Sequence, residues 1–182
     1  MYQIFTSTYE HRRQFLLPFL VYIADAIPQI GFTHLLTRQS LITYIAYTLS
    51  TSSHKLRAQA SDLLSALCIL SPSIGQLSVL AALSDYRIAH GERFRFEEFF
   101  AWIDVRDGEG EEEEGEGVWE FRTAGWGLIN ALIHAPAEVD ERMILREEFS
   151  RRGINEIMTV RPFPSFPPIL LDELTCVWYD RL

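Results

Sequence analysis

Apolar residues recur at helical spacing along nearly the whole chain. The clearest case is a stripe in the segment His54–Leu70, formed by Leu56, Ala60, Leu63, Leu64, Leu67 and Cys68. Ser53 suits the N-cap of this helix because its hydroxyl can accept a hydrogen bond from the first turn. Pro72 ends the helix, since proline disfavours helical geometry in the residue before it. We therefore predict a helix over residues 54–70.

The same spacing predicts helices on both sides of this one. Pro28 and Gly31 interrupt the pattern, Gly91 and Gly153 suit helix C-termini, and Pro136 suits the first turn of a helix. The predicted helices cover residues 16–27, 41–49, 75–90, 93–103, 118–135, 136–152 and 169–182. No strand alternation interrupts them, so we predict an all-α fold of about eight or nine helices, as a bundle or a right-handed solenoid.

Helix spacing favours the solenoid. The helices at 41–49, 75–90 and 118–135 follow one another at steps similar to the length of an armadillo repeat, which is about 40–47 residues.

The helix after Pro136 carries three pairs of opposite charge four residues apart: Glu138–Arg142, Glu147–Arg151 and Glu148–Arg152. Such pairs support an exposed helical face.

Acidic residues are concentrated in one segment. The net charge is −9, but the stretch DGEGEEEEGEG, Asp107–Gly117, carries seven acidic residues and no basic one, which leaves −9 + 7 = −2 for the rest. This segment cannot bury apolar surface, so we predict a solvated loop. Its acidic residues lack the fixed ligand spacing of a calcium-binding loop. The nearly neutral remainder lacks the basic face of a nucleic-acid-binding protein.

No motif indicates catalysis, a metal or a cofactor. The five histidines lack metal-ligand spacing, and no nucleophile elbow, P-loop or dinucleotide fingerprint is present. Cys68 and Cys176 form no disulfide framework, and Cys68 is expected to be a buried free thiol in a reducing, cytoplasmic location. The apolar run Phe15–Ile27 contains Pro18 and Asp25 and is too short to span a bilayer. We therefore predict a non-catalytic protein without a membrane span.

Four segments together resemble one family. LLSALCIL at 63–70, ALSDYRIAHGERFRFEEFF at 82–100, LINAL at 128–132 and DERMILREEFSRRGINEIM at 140–158 are similar, in order and spacing, to the GTPase-binding and third formin-homology region of Diaphanous-related formins. The resemblance covers about residues 26–158 and implies an armadillo-like right-handed solenoid. It suggests a regulatory domain at 1–158, followed at 159–182 by a Pro-rich connector and a short helix.

The resemblance also implies partners. In the family, the concave surface binds an amphipathic helix from the formin's own C-terminal tail, and active Rho-family GTPase competes that helix away. This is helix-in-groove recognition coupled to a two-state switch. Actin would be reached only indirectly, through a domain that these 182 residues do not include, and the implied location is cytoplasmic and cytoskeleton-associated. The alternative is an armadillo-type scaffold, adaptor, dimerisation or targeting unit without the switch.

Five residues are the predicted groove for that helix. By the resemblance, Asn130 hydrogen-bonds the bound peptide, Ala66 and Ile69 pack against its leucines, and Asp62 and Gly127 lie on the same rim. Considered without the resemblance, Asn130 would face water, and Ala66 and Ile69 would belong to the core. Both interpretations remain open at the level of sequence.

Overall fold

The computed structural model describes residues 28–104 and 117–160, and in these two ranges the chain is helical and contains no strand. The predicted all-α class is confirmed. None of the described helices is both long enough and apolar enough to cross a membrane. The helices are α1 (Pro28–Leu36), α2 (Gln39–Tyr47), α3 (His54–Leu70), α4 (Ile74–His90), α5 (Glu97–Ile103), α6 (Val118–His134), α7 (Val139–Arg151) and α8 (Ile154–Val160), with a 3-10 turn at Thr48–Ser50.

Several helix ends follow directly from the sequence. Ser53 caps α3 by accepting a hydrogen bond from the Leu56 N–H, which satisfies one of the free donors of the first turn. Gly91 and Gly153 adopt positive φ values of 71° and 87° after α4 and α7, a conformation that costs glycine little. These three residues confirm the predicted start of α3 and the predicted ends of α4 and α7.

Other helix boundaries differ from the prediction. Pro28 begins α1 instead of interrupting a helix, and Gly31 lies buried within it. Residues 93–96 are not helical, because buried Phe96 takes a left-handed φ of 70° and α5 starts only at Glu97. Pro136 precedes α7 by three residues, and Glu138 is the N-cap of that helix. A proline indicates that a helix begins within a few residues, but it does not determine the exact first residue.

The helices pack in two stacks. In the first stack α2 lies on α4, where the Gln39 side-chain amide donates to the Ser78 carbonyl at 2.8 Å and the Thr43 hydroxyl contacts the Asp85 carboxylate at 3.3 Å. In the second, α3 lies on α6. Among the described helices, α2 therefore packs on α4 and α6 packs on α3, and the repeat step itself remains a prediction.

A continuous hydrophobic core joins the two stacks. Its centre is formed by fully buried residues of α3 and α6, including Leu64, Leu67, Leu128, Ile129 and Leu132. An aromatic cluster closes one side of the core, with ring centroids between 4.9 and 6.5 Å apart, and consists of Phe96, Phe99, Phe100, Phe121 and Phe149. This packing fixes the relative position of α3 and α6, which carry the predicted groove residues.

Three predictions lie outside the described residues. They are the helix at 16–27, the solvated character of the acidic segment up to residue 116, and the connector and terminal helix at 161–182. The division into domains at 158/159 also remains a prediction.

Candidate functional site

Helices α3 and α6 run parallel and side by side. Their N-termini meet where Gly117 approaches the start of α3: a side-chain Cβ at Gly117 would lie 3.1 Å from the Lys55 backbone nitrogen. Gly117 has a φ of 98°, so glycine suits this junction both conformationally and sterically. The ring of His54, the first residue of α3, also lies 6.4 Å from that of Phe121 in α6. The two helices therefore share one direction.

An open groove of about 940 Å³ follows the seam between them. Four of the five predicted residues line it, namely Asp62 and Ile69 from α3 and Gly127 and Asn130 from α6. Ile69 is 66% exposed although it is aliphatic, so it is not the core residue that the alternative interpretation required. The structure thus brings these four positions onto one surface.

Ala66 does not line the groove. It is half-buried on α3, and the groove is lined instead by its neighbours Ser65 and Cys68. Ala66 is four residues from Asp62 and three from Ile69, so it lies on the same side of α3, at the edge of the groove without lining it. Its proposed contact with a peptide remains a prediction.

Small and apolar groups form much of the groove wall. At Gly127 an added Cβ would meet nothing within 4 Å, so the groove is open above this position. The Ser65 hydroxyl donates to the Ser61 carbonyl within α3 at 2.8 Å, which satisfies it without a ligand. Six further wall residues are Pro72, Trp119, Thr123, Ala124, Ala131 and Ala135. Such a surface suits another apolar helix more than a small polar substrate.

Asn130 is the polar group at the centre of this wall. Its side chain is half-buried and makes no hydrogen bond to any residue that the structure describes. An amide in this position can both donate to and accept from the backbone of a bound peptide. Its place inside the apolar run LINALI is therefore explained by its position on the face of α6 that borders the groove.

Two carboxylates and one imidazole also border the groove. Burial raises the pKa of Asp62 above its ordinary value. Burial lowers the pKa of His134, and the nearby Arg146 and Arg142 charges lower it further, which disfavours the protonated ring. Glu120, in the first turn of α6, is the second acidic group.

Nucleophilic or metal chemistry has no support at this site. Burial raises the pKa of the Cys68 thiol to about 12, so the sulfur carries no thiolate near neutral pH. Across residues 28–104 and 117–160, no three His, Cys, Asp or Glu side chains come together in a group that could hold a metal ion. The arrangement offers an open binding surface.

Several wall residues were missed at the level of sequence. Starting from Asn130, helical spacing of three or four residues leads to Gly127, Thr123 and Glu120, and forward to His134. That periodicity could have identified them once one groove residue on α6 was known. Pro72 lies just beyond the end of α3, and no periodic signal marks it.

Comparison with known proteins agrees with this architecture. Residues 76–160 match the family model of the Diaphanous FH3 domain. The chain is 28% identical to Formin-F of Dictyostelium discoideum over 137 residues, which is 74% of this chain and 10% of that protein. It is 28% identical to protein diaphanous homolog 3 of Rattus norvegicus over 130 residues, 71% of this chain and 10% of that protein.

A human relative gives the same result. The chain is 30% identical to disheveled-associated activator of morphogenesis 2 of Homo sapiens over 131 residues, 70% of this chain and 12% of that protein. It thus spans about a tenth of the length of the curated relatives that it matches. The helical architecture, the matched family model and these relatives together show that residues 76–160 belong to the Diaphanous FH3 domain family, an armadillo-like regulatory region of formins.

Proposed function

We propose that this chain is a non-catalytic binding module whose α3–α6 groove receives the C-terminal autoregulatory helix of a formin. The groove between two parallel helices, open to solvent and walled by small and apolar groups, is the observation that carries the proposal. Amphipathic helices are commonly recognised in such grooves through leucines spaced three or four residues apart.

Complementarity to a helix has three parts. Exposed Ile69 supplies apolar surface that a bound leucine would remove from water, which contributes about 25 cal/mol per Å² of apolar surface buried. Gly127 and the alanines of α6 leave room for side chains of the ligand. The Asn130 amide offers hydrogen bonds to backbone groups at the end of the ligand helix, where the helix itself cannot satisfy them.

Regulation would follow from competition. A Rho-family GTPase that binds the chain and excludes the tail helix would release the actin-assembling part of a formin, in a cytoplasmic, cytoskeleton-associated setting. The coupling between the two ligands must then be reciprocal: tail helix weakens GTPase binding by the same factor as GTPase weakens tail binding. The chain would act on actin only indirectly, through this release.

Calorimetric titration with a formin tail peptide tests the proposal. The parent chain should bind the peptide with one-to-one stoichiometry, and Asn130→Ala should weaken binding by about 1–3 kcal/mol while leaving the melting temperature nearly unchanged. GTP-loaded Rho should reduce the affinity for the peptide, whereas GDP-loaded Rho serves as the control. Absence of peptide binding by the folded parent chain would remove the proposal.

A further inference from the structure

A stripe of solvent-facing side chains runs along α4. Its members recur at alternating steps of three and four residues, which is the spacing of a heptad seam: Ile74, Leu77, Ala81, Ser84 and Ile88. Three of them are large and aliphatic, yet Ile74 is 61% exposed, Leu77 65% and Ile88 69%. No member of the stripe carries a charge. This α4 stripe is therefore an apolar helix face that no described part of the chain covers.

The α4 stripe is separate from the groove and has polar borders. None of its five members lines the groove between α3 and α6. On one side of the stripe, the Asp85 carboxylate accepts a hydrogen bond from the Thr43 hydroxyl of α2. On the other side, the Arg95 guanidinium lies 3.4 Å from the Ser84 hydroxyl. An apolar centre with a polar rim is the common organisation of a protein–protein interface.

The α4 stripe is also symmetric about its middle. Ala81 lies seven residues from both Ile74 and Ile88, so an isoleucine stands at each end and a small residue at the centre. If two copies of α4 lie antiparallel across a two-fold axis at Ala81, Ile74 of one copy packs against Ile88 of the other, and this contact occurs twice. Alanine at the crossing point allows the two helices to approach closely. The antiparallel arrangement also brings opposite ends of the two helix dipoles together.

We propose that the α4 stripe is a two-fold interface that binds a second copy of this chain through antiparallel packing of α4 on α4. Its symmetry favours a second copy over any other occupant, because only an identical partner requires the stripe to match itself in reverse. One helix face buries less than the roughly 800 Å² that a standard interface takes from each partner, so the dimer is weak and reversible. We expect a dissociation constant between about 1 μM and 1 mM.

Sedimentation equilibrium of the full 182-residue chain, over concentrations from about 1 μM to 1 mM, tests this assembly. The parent chain should pass from monomer to dimer. Leu77→Glu and Ala81→Glu each place an unpaired charge in the interface and should weaken the dimer at least about tenfold. Ile144→Glu on α7 is the matched control, because Ile144 is 65% exposed, as Leu77 is, and it should leave the dimer unchanged. Melting temperatures equal to that of the parent show that the variants are folded.

A cysteine at the axis tests the antiparallel register. Ala81→Cys would meet the same position of the second copy, so it should form a disulfide between two chains under mild oxidation. Ile74→Cys would face Ile88 of the second copy and should form this disulfide far more slowly. The parent chain, in which Cys68 is buried, gives the background rate.

Three results would overturn the proposal. The first is a parent chain that stays monomeric at every concentration, as it would if the α4 stripe were bare or covered by another part of the same chain. The second is a dimer that survives both Leu77→Glu and Ala81→Glu, or that Ile144→Glu weakens as much as they do. The third is disulfide formation by Ile74→Cys as fast as by Ala81→Cys, which would exclude a two-fold axis at Ala81.

Discussion

Arg95 forms a two-pronged ion pair with Glu148, with its Nε 3.0 Å from Oε1 and its Nη2 2.6 Å from Oε2. The pair connects the turn before α5 to α7 across 53 positions of sequence. Both side chains are partly buried. Glu148 was expected to pair with Arg152, four residues along α7, but Arg152 lies over the Phe94 ring at 3.6 Å instead. The turn before α5 and the C-terminal end of α7 are thus connected at two points, by this ion pair and by the contact of Arg152 with the Phe94 ring.

Breaking the Arg95–Glu148 pair should lower the free energy of unfolding. We expect Arg95→Ala to cost about 1–3 kcal/mol, because it leaves a partly buried carboxylate without its hydrogen bonds. The control is Arg151→Ala, which breaks the exposed pair with Glu147 on the same helix and should cost less than about 1 kcal/mol. Urea denaturation of the two variants measures the difference in the free energy of unfolding. Equal losses in the two variants would contradict a structural role for the Arg95–Glu148 pair.

Two glycines in helices should respond oppositely to alanine. A Cβ at Gly75 would lie 2.0 Å from the Leu67 carbonyl oxygen, so Gly75→Ala should force α3 and α4 apart and cost about 1–3 kcal/mol. A Cβ at Gly127 would meet nothing within 4 Å, so Gly127→Ala should stabilise α6 by about 0.5–1 kcal/mol. Thermal melts of the pair test this; a destabilised Gly127→Ala would mean that the groove is filled, not open.

Glu92 should make stability depend on pH. Burial raises the pKa of its carboxyl from 4.5 to about 7, and the nearby Glu98 and Glu97 charges contribute in the same direction. Between pH 4.5 and about 7, the folded state therefore holds a proton on Glu92 that the unfolded state has lost. The contribution of Glu92 to stability falls as pH rises through this range.

Comparison with a variant isolates that contribution. The free energy of unfolding of Glu92→Gln, relative to the parent, should rise between about pH 4.5 and about pH 8, because glutamine does not ionise. Glu141→Gln, at an exposed position on α7, is the matched control in the same comparison. A difference between Glu92→Gln and parent that stays constant across this range would rule out the shifted carboxyl.

Local sequence signals predicted well where the helices occur, and less well which helices pack against each other. Ser53, Gly91 and Gly153 determine helix ends through backbone chemistry that involves only near neighbours, so they could be identified from the sequence. The left-handed Phe96 could not, because its conformation is stabilised by stacking on Phe100 and by an edge contact with Phe149, 53 residues away. Tertiary packing here outweighs the ordinary cost of positive φ.

The residues that line the groove could likewise be predicted only in part from the sequence. Asn130 was notable as a polar residue within an apolar run, and the resemblance of this run to a family motif pointed to the face of α6 that borders the groove. The residues that α3 contributes depend on the rotation of that helix about its axis, which is determined by packing against α6. Ile69 and Asp62 line the groove, whereas Ala66, four residues from Asp62 and three from Ile69, lies at its edge. Helical spacing alone places these three residues on one side of α3, so the packing decides which of them line the groove.

The most direct test of the helix-binding groove compares two isoleucines. Ile69 lies in the groove and is 66% exposed, whereas Ile144 lies on α7 outside it and is 65% exposed. Aspartate at either site should be tolerated by the fold, as equal melting temperatures would confirm. In calorimetric titrations with a formin tail peptide, Ile69→Asp should weaken binding at least tenfold, or about 1.4 kcal/mol, and Ile144→Asp should leave it nearly unchanged. Equal affinities for the two variants would contradict the groove.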